Sequence, residues 1–86
     1  MCNIIYVVMN MNDKHYEKYR NLGLSVSYFR KLKGLTQQQV ADTMNVSYET
    51  ISRIENANTG VSMDMLLELS AAIQTPLADL FAHAGL

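Results

Sequence analysis

Residues 36–56 read TQQQVADTMNVSYETISRIEN and decide the fold, because they predict two short helices joined by a tight turn. Thr36 is a good N-cap for the first helix, and Gln39, three residues further on, completes the pattern of a capping box. Asn45 stands where the chain must turn through a left-handed conformation, which asparagine tolerates better than most residues with a side chain. Ser47 then caps the second helix.

Each of these two helices has an apolar side at helical spacing. The inward residues are Val40, Ala41 and Met44 in the first helix, and Ile51 and Ile54 in the second. The other side of the second helix carries the polar and aromatic residues Tyr48, Glu49, Ser52 and Arg53. A short helix with such an outward side at its front is what reading of the DNA major groove requires.

The stretch resembles the helix-turn-helix of the phage-repressor family of DNA-binding transcriptional regulators, the Xre/Cro type. The matching residues are Thr36-Gln37, Ala41, Asn45, Ser47 and Ile51-Ser52-Arg53-Ile54-Glu55-Asn56. The likeness extends from about Leu22 to Phe81. It implies an all-α fold, a compact five-helix repressor-like domain, and the residues before it suggest an added N-terminal β-strand arm.

We expect a helix-turn-helix domain over residues 22–82, an N-terminal arm over residues 1–21 and a C-terminal tail over residues 83–86. Outside the central pair, the domain's helices are expected at about 24–33, 63–73 and 76–82. Apolar residues left over from their inward sides are Met65, Leu67 and Leu77. They serve either as a dimer face, as this region does in similar proteins, or as ordinary core packing.

The N-terminal arm divides into a strand and a short helix. Residues 3–9 read NIIYVVM and are β-branched and aromatic, which indicates a strand. Residues 13–21 predict a short helix, and Gly23 interrupts the pattern before the next helix. A lone strand is unstable in water, so residues 3–9 pair with a second copy, lie against the helices or form an unordered leader.

Composition limits the class of protein. With 49% hydrophobic residues, a chain of 86 residues forms one small globular domain. No apolar run is long enough to span a membrane, and residues 1–11 lack the features of a signal peptide. Cys2, the one cysteine, suits a reducing cytosol, so we expect a cytoplasmic protein. Cys2, His15 and His83 lack ligand spacing, and neither a metal nor another cofactor is expected.

Charge is unevenly distributed along the chain, although the formal net charge is only −1. Residues 1–33 hold six basic and two acidic residues, a net +4, whereas residues 34–86 hold one basic and six acidic residues, a net −5. Attraction to DNA phosphates falls steeply when few cations contribute. We therefore expect modest non-specific affinity for DNA and a need for dimeric binding.

The family resemblance assigns roles to individual residues. Those expected to read bases are Ser47, Tyr48, Glu49, Ser52 and Arg53. Those expected to contact phosphates are Thr36, Gln37, Thr50, Asn56 and Asn58. The resemblance also implies a partly buried ion pair between Arg30 and Glu55, which would tie the first helix of the domain to the third.

The leading interpretation is a sequence-specific regulator of transcription, a repressor that binds a palindromic operator in double-stranded DNA as a homodimer. The alternative is an antitoxin or adaptor module that acts mainly through contact with a protein partner. The weak basic charge and the apolar residues 3–9 favour that alternative. An enzyme is not expected, because no catalytic constellation of side chains is apparent in a chain this small.

Overall fold

The computed structural model describes residues 15–86, and within that range the chain forms five α-helices and no strand. In chain order they are α1 (Tyr16–Leu32), α2 (Gln37–Met44), α3 (Tyr48–Glu55), α4 (Met63–Ala72) and α5 (Leu77–Ala84). The predicted all-α, five-helix, repressor-like fold is confirmed. The strand expected over residues 3–9, the expected helix start at residue 13 and Cys2 lie outside the described residues.

The first helix differs from its prediction. We expected Gly23 to separate a short helix over residues 13–21 from the next one, but α1 runs without a break from Tyr16 to Leu32. A glycine inside a helix costs only about 1 kcal/mol relative to alanine, which packing of the flanking residues easily offsets. The expected break is therefore wrong, and the boundary we drew between residues 21 and 22 falls inside α1.

The two central helices begin and end as their residues predict. The Thr36 hydroxyl accepts from the Gln39 backbone N–H at 3.0 Å, and the Thr36 N–H donates to the Gln39 side chain at 2.8 Å, which completes the capping box. Asn45 ends α2 in the left-handed region, with φ of 58°. The Ser47 hydroxyl accepts from the Thr50 N–H at 3.2 Å and caps α3.

The core lies where the apolar sides of all five helices meet. Its fully buried members include Val26 of α1, Val40 of α2, Ile51 of α3, Leu69 of α4 and Leu80 of α5. The buried Ser25 hydroxyl donates to the Leu80 carbonyl at 2.8 Å, and this polar contact joins α1 to α5. The central helices α2 and α3 are thus fixed on a framework made by α1, α4 and α5.

Of the last two helices, only α5 extends beyond its predicted end. Helix α5 continues to Ala84, which is buried, so the first half of the expected tail over residues 83–86 belongs to the fold. Met65 and Leu77 pack against the core, whereas Leu67 is exposed. In residues 15–86 no single helix has the length and apolar character to cross a bilayer. Helices α4 and α5 together have the length and composition of a membrane span, but the two are bent by 104° relative to each other.

Candidate nucleic-acid interface

One side of α3 is turned to solvent and the other to the core. Ile51 and Ile54 are buried, while Tyr48, Glu49 and Arg53 are exposed. At 100° per residue, the outward residues occupy an arc of about 140° on the helix surface. Its members are Tyr48, Glu49, Ser52, Arg53 and Asn56, with Ser47 exposed at the cap in front of them and Thr50 at its edge.

A buried hydrogen-bond network fixes α3 from behind. Arg30 of α1 donates to both carboxylate oxygens of Glu55, from Nε to Oε2 at 2.7 Å and from Nη2 to Oε1 at 3.1 Å. Its Nη1 also donates to the Leu35 carbonyl at 2.7 Å, in the turn before α2. A bidentate arginine–carboxylate pair of this kind sets direction as well as distance. The last residue of α3 is therefore held against α1 in one orientation.

Two residues expected to contact phosphates also make hydrogen bonds inside the protein. The Gln37 amide donates to Oε1 of Glu55 at 2.9 Å, and the Asn56 amide donates to the Ser52 carbonyl at 2.9 Å. A side-chain amide carries two N–H groups, so Gln37 retains one for another partner, whereas Asn56 Nδ2 also donates to the Ser52 Oγ at 3.4 Å. The bond from Gln37 joins the start of α2 to the end of α3 and fixes the angle between the two helices.

An open groove of about 470 Å³ borders α3 at its N-terminal end. It lies between the start of α2, with Thr36 and Gln37, and the exposed ring of Tyr48. Lys31 of α1 lines the same groove and brings a positive charge to it. Sequence reasoning missed Lys31 as a site residue. Its place in the last turn of α1, five residues before the Thr36 cap, was the available signal.

A second open groove, of about 340 Å³, borders α3 on another side. Thr50 and Arg53 of α3 line it, together with Thr59 and the Ser62 cap of α4. The loop between α3 and α4 carries Asn58, which is exposed and whose backbone N–H donates to the Arg53 carbonyl at 2.8 Å. Each groove beside α3 therefore has an exposed cationic side chain in its lining, which is Lys31 of α1 at the first groove and Arg53 of α3 at the second.

The remaining candidate ligands do not assemble into a site. Across residues 15–86, no group of three or more His, Cys, Asp or Glu side chains is arranged to hold a metal ion. The His83 ring instead stacks on Tyr28, with 4.4 Å between ring centroids, and meets Phe29 edge-on. The two described histidines, His15 and His83, are thus at different places in the fold from the outward side of α3.

Comparison with known proteins agrees with this geometry. Residues 26–80 match the family described as helix-turn-helix, which is more than half of the chain. The matched range begins inside α1 and ends in α5, so it contains α2, α3 and α4 whole. The chain belongs to the Xre-type helix-turn-helix family of DNA-binding transcriptional regulators, which is a class of regulators and not of enzymes.

Three relatives illustrate the likeness. The chain is 38% identical over 64 residues to the competence pilus inhibition repressor of Acinetobacter baylyi, an alignment that covers 74% of this chain and 58% of that protein. It spans, therefore, less than two thirds of that relative's length. The clp gene regulator ClgR of Corynebacterium glutamicum has a similar structure, with a TM-score of 0.77 and 28% identity over 79% of this chain and 88% of that one.

The restriction-modification controller protein C.AhdI of Aeromonas hydrophila shares the fold. Its TM-score is 0.74 at 24% identity, over 77% of this chain and all of that one. In both solved structures the similarity covers more than three quarters of this chain. The five-helix arrangement around α2 and α3 is thus a fold that other regulators also have.

Proposed function

We propose that this chain represses transcription by laying α3 in the major groove of a palindromic operator, as a homodimer. The observation that carries the proposal is the division of α3 into a buried side, with Ile51 and Ile54, and an exposed polar side about 140° wide. A recognition helix needs this division, because its back must hold the domain together while its front meets base edges. The repressor from Acinetobacter baylyi supports the direction of regulation.

Base reading is assigned to the outward residues by their chemistry. Arg53 donates to guanine O6 and N7, Glu49 accepts from cytosine N4, and Tyr48 contacts a thymine methyl group. Ser47 and Ser52 add hydroxyl contacts. Because Glu49 is an anion close to phosphates, its contribution depends on a cytosine at the matching position, which makes it a residue of selectivity rather than of affinity.

Phosphate binding is assigned to the two grooves beside α3. A helix in the major groove has a phosphate backbone on each side. Lys31 brings an exposed cation to the first groove, and the second groove offers the hydroxyls of Thr50 and Thr59 beside the base-reading Arg53. At the first groove, the free N–H groups at the start of α2 and the second N–H of Gln37 add donors. Thr36, Thr50, Asn56 and Asn58 complete the proposed set with neutral contacts.

A homodimer follows from the small number of base pairs that one short helix contacts. Two half-sites one DNA turn apart double the recognised sequence and match the two-fold symmetry of a palindrome. For the dimer face we propose the exposed side of α4, where Met63 and Leu67 are both more than half exposed and lie one turn apart. DNA as the ligand also favours a cytoplasmic location.

The test is selection of binding sites from a pool of random duplexes. The double variant Tyr48→Ala, Arg53→Ala should lose the sequence selected by the natural chain, while its thermal unfolding stays cooperative. Arg20→Ala is the matched control, because Arg20 is an exposed arginine of α1 that borders neither groove. Selection of the same sequence by the natural chain and the double variant would rule out base reading by α3.

A further inference from the structure

Ser52 lies within the outward side of α3 rather than at its edge. At 100° per residue it is about 40° from Tyr48 and about 60° from Glu49 around the helix, between the two. Its side chain is short and partly exposed, so its hydroxyl meets a base edge only where the helix itself comes close. The direction of its O–H bond then decides which base atom is a suitable partner.

The Asn56 side chain reaches back to this hydroxyl. Ser52 and Asn56 are four residues apart and lie on one side of the helix, where side chains lean toward the N-terminus. Asn56 Nδ2 donates to the Ser52 carbonyl at 2.9 Å and to the Ser52 Oγ at 3.4 Å. Because a carbonyl only accepts, the shorter bond requires that the amide nitrogen, and not the amide oxygen, faces Ser52.

The proton of the Ser52 hydroxyl is left for a partner outside the protein. Within residues 15–86, Ser52 Oγ accepts a hydrogen bond and donates none. The Thr43 hydroxyl of α2 shows the common alternative, since it donates to the Gln39 carbonyl four residues earlier at 3.0 Å. A hydroxyl that accepts from an N–H group is also a better donor, because chained hydrogen bonds polarise one another.

We propose that Asn56 is a positioning residue that makes Ser52 a hydrogen-bond donor to the base it faces. The proposal rests on the contact of α3 with the major groove that is part of the proposed function. In that groove guanine offers N7 and O6, adenine N7 and thymine O4 as acceptors, whereas cytosine offers only the N4 donor. Ser52 therefore favours guanine, adenine or thymine at its position and disfavours cytosine.

This preference is the opposite of the one assigned to Glu49. An ionised carboxylate only accepts, so Glu49 favours the N4 donor of cytosine. Ser52, held as a donor by Asn56, favours an acceptor at its own position. The two residues thus require bases of opposite hydrogen-bonding character, and an exchange of guanine for cytosine at either position weakens binding.

The test combines selection of binding sites with titration of four duplexes that differ at one position. Ser52→Ala identifies that position, because the base preference of the natural chain should disappear only there. Asn56→Ala leaves the hydroxyl free to turn, so the discrimination against cytosine should become smaller without reversing. Cooperative thermal unfolding of each variant establishes that the fold is retained.

Asn56→Asp is the decisive variant, because a carboxylate only accepts and would take the Ser52 proton. Ser52 would then present only lone pairs to the base. At the identified position cytosine should gain relative to guanine by about 2–10-fold, which corresponds to one neutral hydrogen bond. The same substitution in the Ser52→Ala background should give no such gain, since the hydroxyl is gone.

Three results would overturn the proposal. Equal weakening of all four duplexes by Asn56→Asp would show a phosphate contact only, because such a contact carries no sequence information. A gain of cytosine that persists in the Ser52→Ala background would show that the side chain at position 56 contacts the base itself. If the natural chain selects no sequence at all, the proposed function fails and this inference fails with it.

Discussion

Gly23 of α1 lies against the carbonyl oxygen of Glu55 at the end of α3. A Cβ atom placed on Gly23 would be 2.6 Å from that oxygen and 2.6 Å from the Ile54 carbonyl oxygen, both of which are backbone atoms. Only glycine allows α3 to approach α1 this closely. The same approach brings Glu55 within reach of Arg30, so the Arg30–Glu55 ion pair depends on the absence of a side chain at position 23.

Gly23→Ala should lower the free energy of unfolding by about 1–3 kcal/mol, the usual cost of overpacking, although alanine is the better helix former. Urea denaturation measures the change. Gly60→Ala is the matched control, because nothing lies within 4 Å of a Cβ there, and its effect should be small. Equal effects of the two substitutions would contradict the close approach of α1 and α3.

Glu55→Ala should lower the free energy of unfolding by about 3–5 kcal/mol, because it leaves the Arg30 guanidinium buried without its partner. It also removes the acceptor of the Gln37 amide. Thermal unfolding measures the loss, and Glu55→Gln, which keeps the side-chain shape, should lose less. Glu49→Ala, six residues earlier on the exposed side of α3, should change stability little. A comparable loss there would contradict the stabilising role of the Arg30–Glu55 network.

Gln74→Gly should raise the free energy of unfolding by about 0.5–1 kcal/mol. Gln74 has φ of 52°, a left-handed conformation that costs about 1–2 kcal/mol for a residue with a Cβ, and it is exposed after the end of α4. Gln38→Gly makes the same exchange within α2 and should instead lower stability by about 1 kcal/mol. Chemical denaturation of both variants checks the opposite signs, and a loss in both would refute the strain at Gln74.

Lys31→Ala should weaken binding to every duplex by a similar factor and leave the selected sequence unchanged, because a phosphate contact carries no sequence information. The slope of log K against log salt should fall by about 1 per protomer. Titration of labelled duplexes at several salt concentrations measures both. Lys18→Ala, an exposed α1 lysine outside the first groove, should leave the slope unaltered.

Local signals made much of the fold predictable. The capping box of Thr36 and Gln39, the left-handed Asn45 and the Ser47 cap each depend on atoms within three or four residues. The periodicity of Val40, Ile51 and Ile54 added which side is buried. Two helices joined by such a turn have few ways to pack against each other. The remaining three helices were then predicted from the family resemblance.

Contacts between distant residues were not predictable in the same way. Gly23 looks like a helix breaker until the Glu55 carbonyl, 32 residues later, is placed against it. The Gln37 amide was expected to face phosphate, and its bond to Glu55 depends on how α2 and α3 are angled. His83 was counted as tail, yet it stacks on Tyr28 from the last turn of α5. Each of these contacts depends on how the helices pack in three dimensions, which the sequence pattern does not specify.

The attachment of α3 by Ile51, Ile54 and Glu55 has a consequence for engineering. Since those three residues hold the helix from behind, substitutions at Tyr48, Glu49, Ser52 and Arg53 leave the supporting contacts intact. The domain can therefore serve as a scaffold for libraries in which these four positions are randomised together. Variants with new DNA targets would be expected to melt at nearly the temperature of the parent chain.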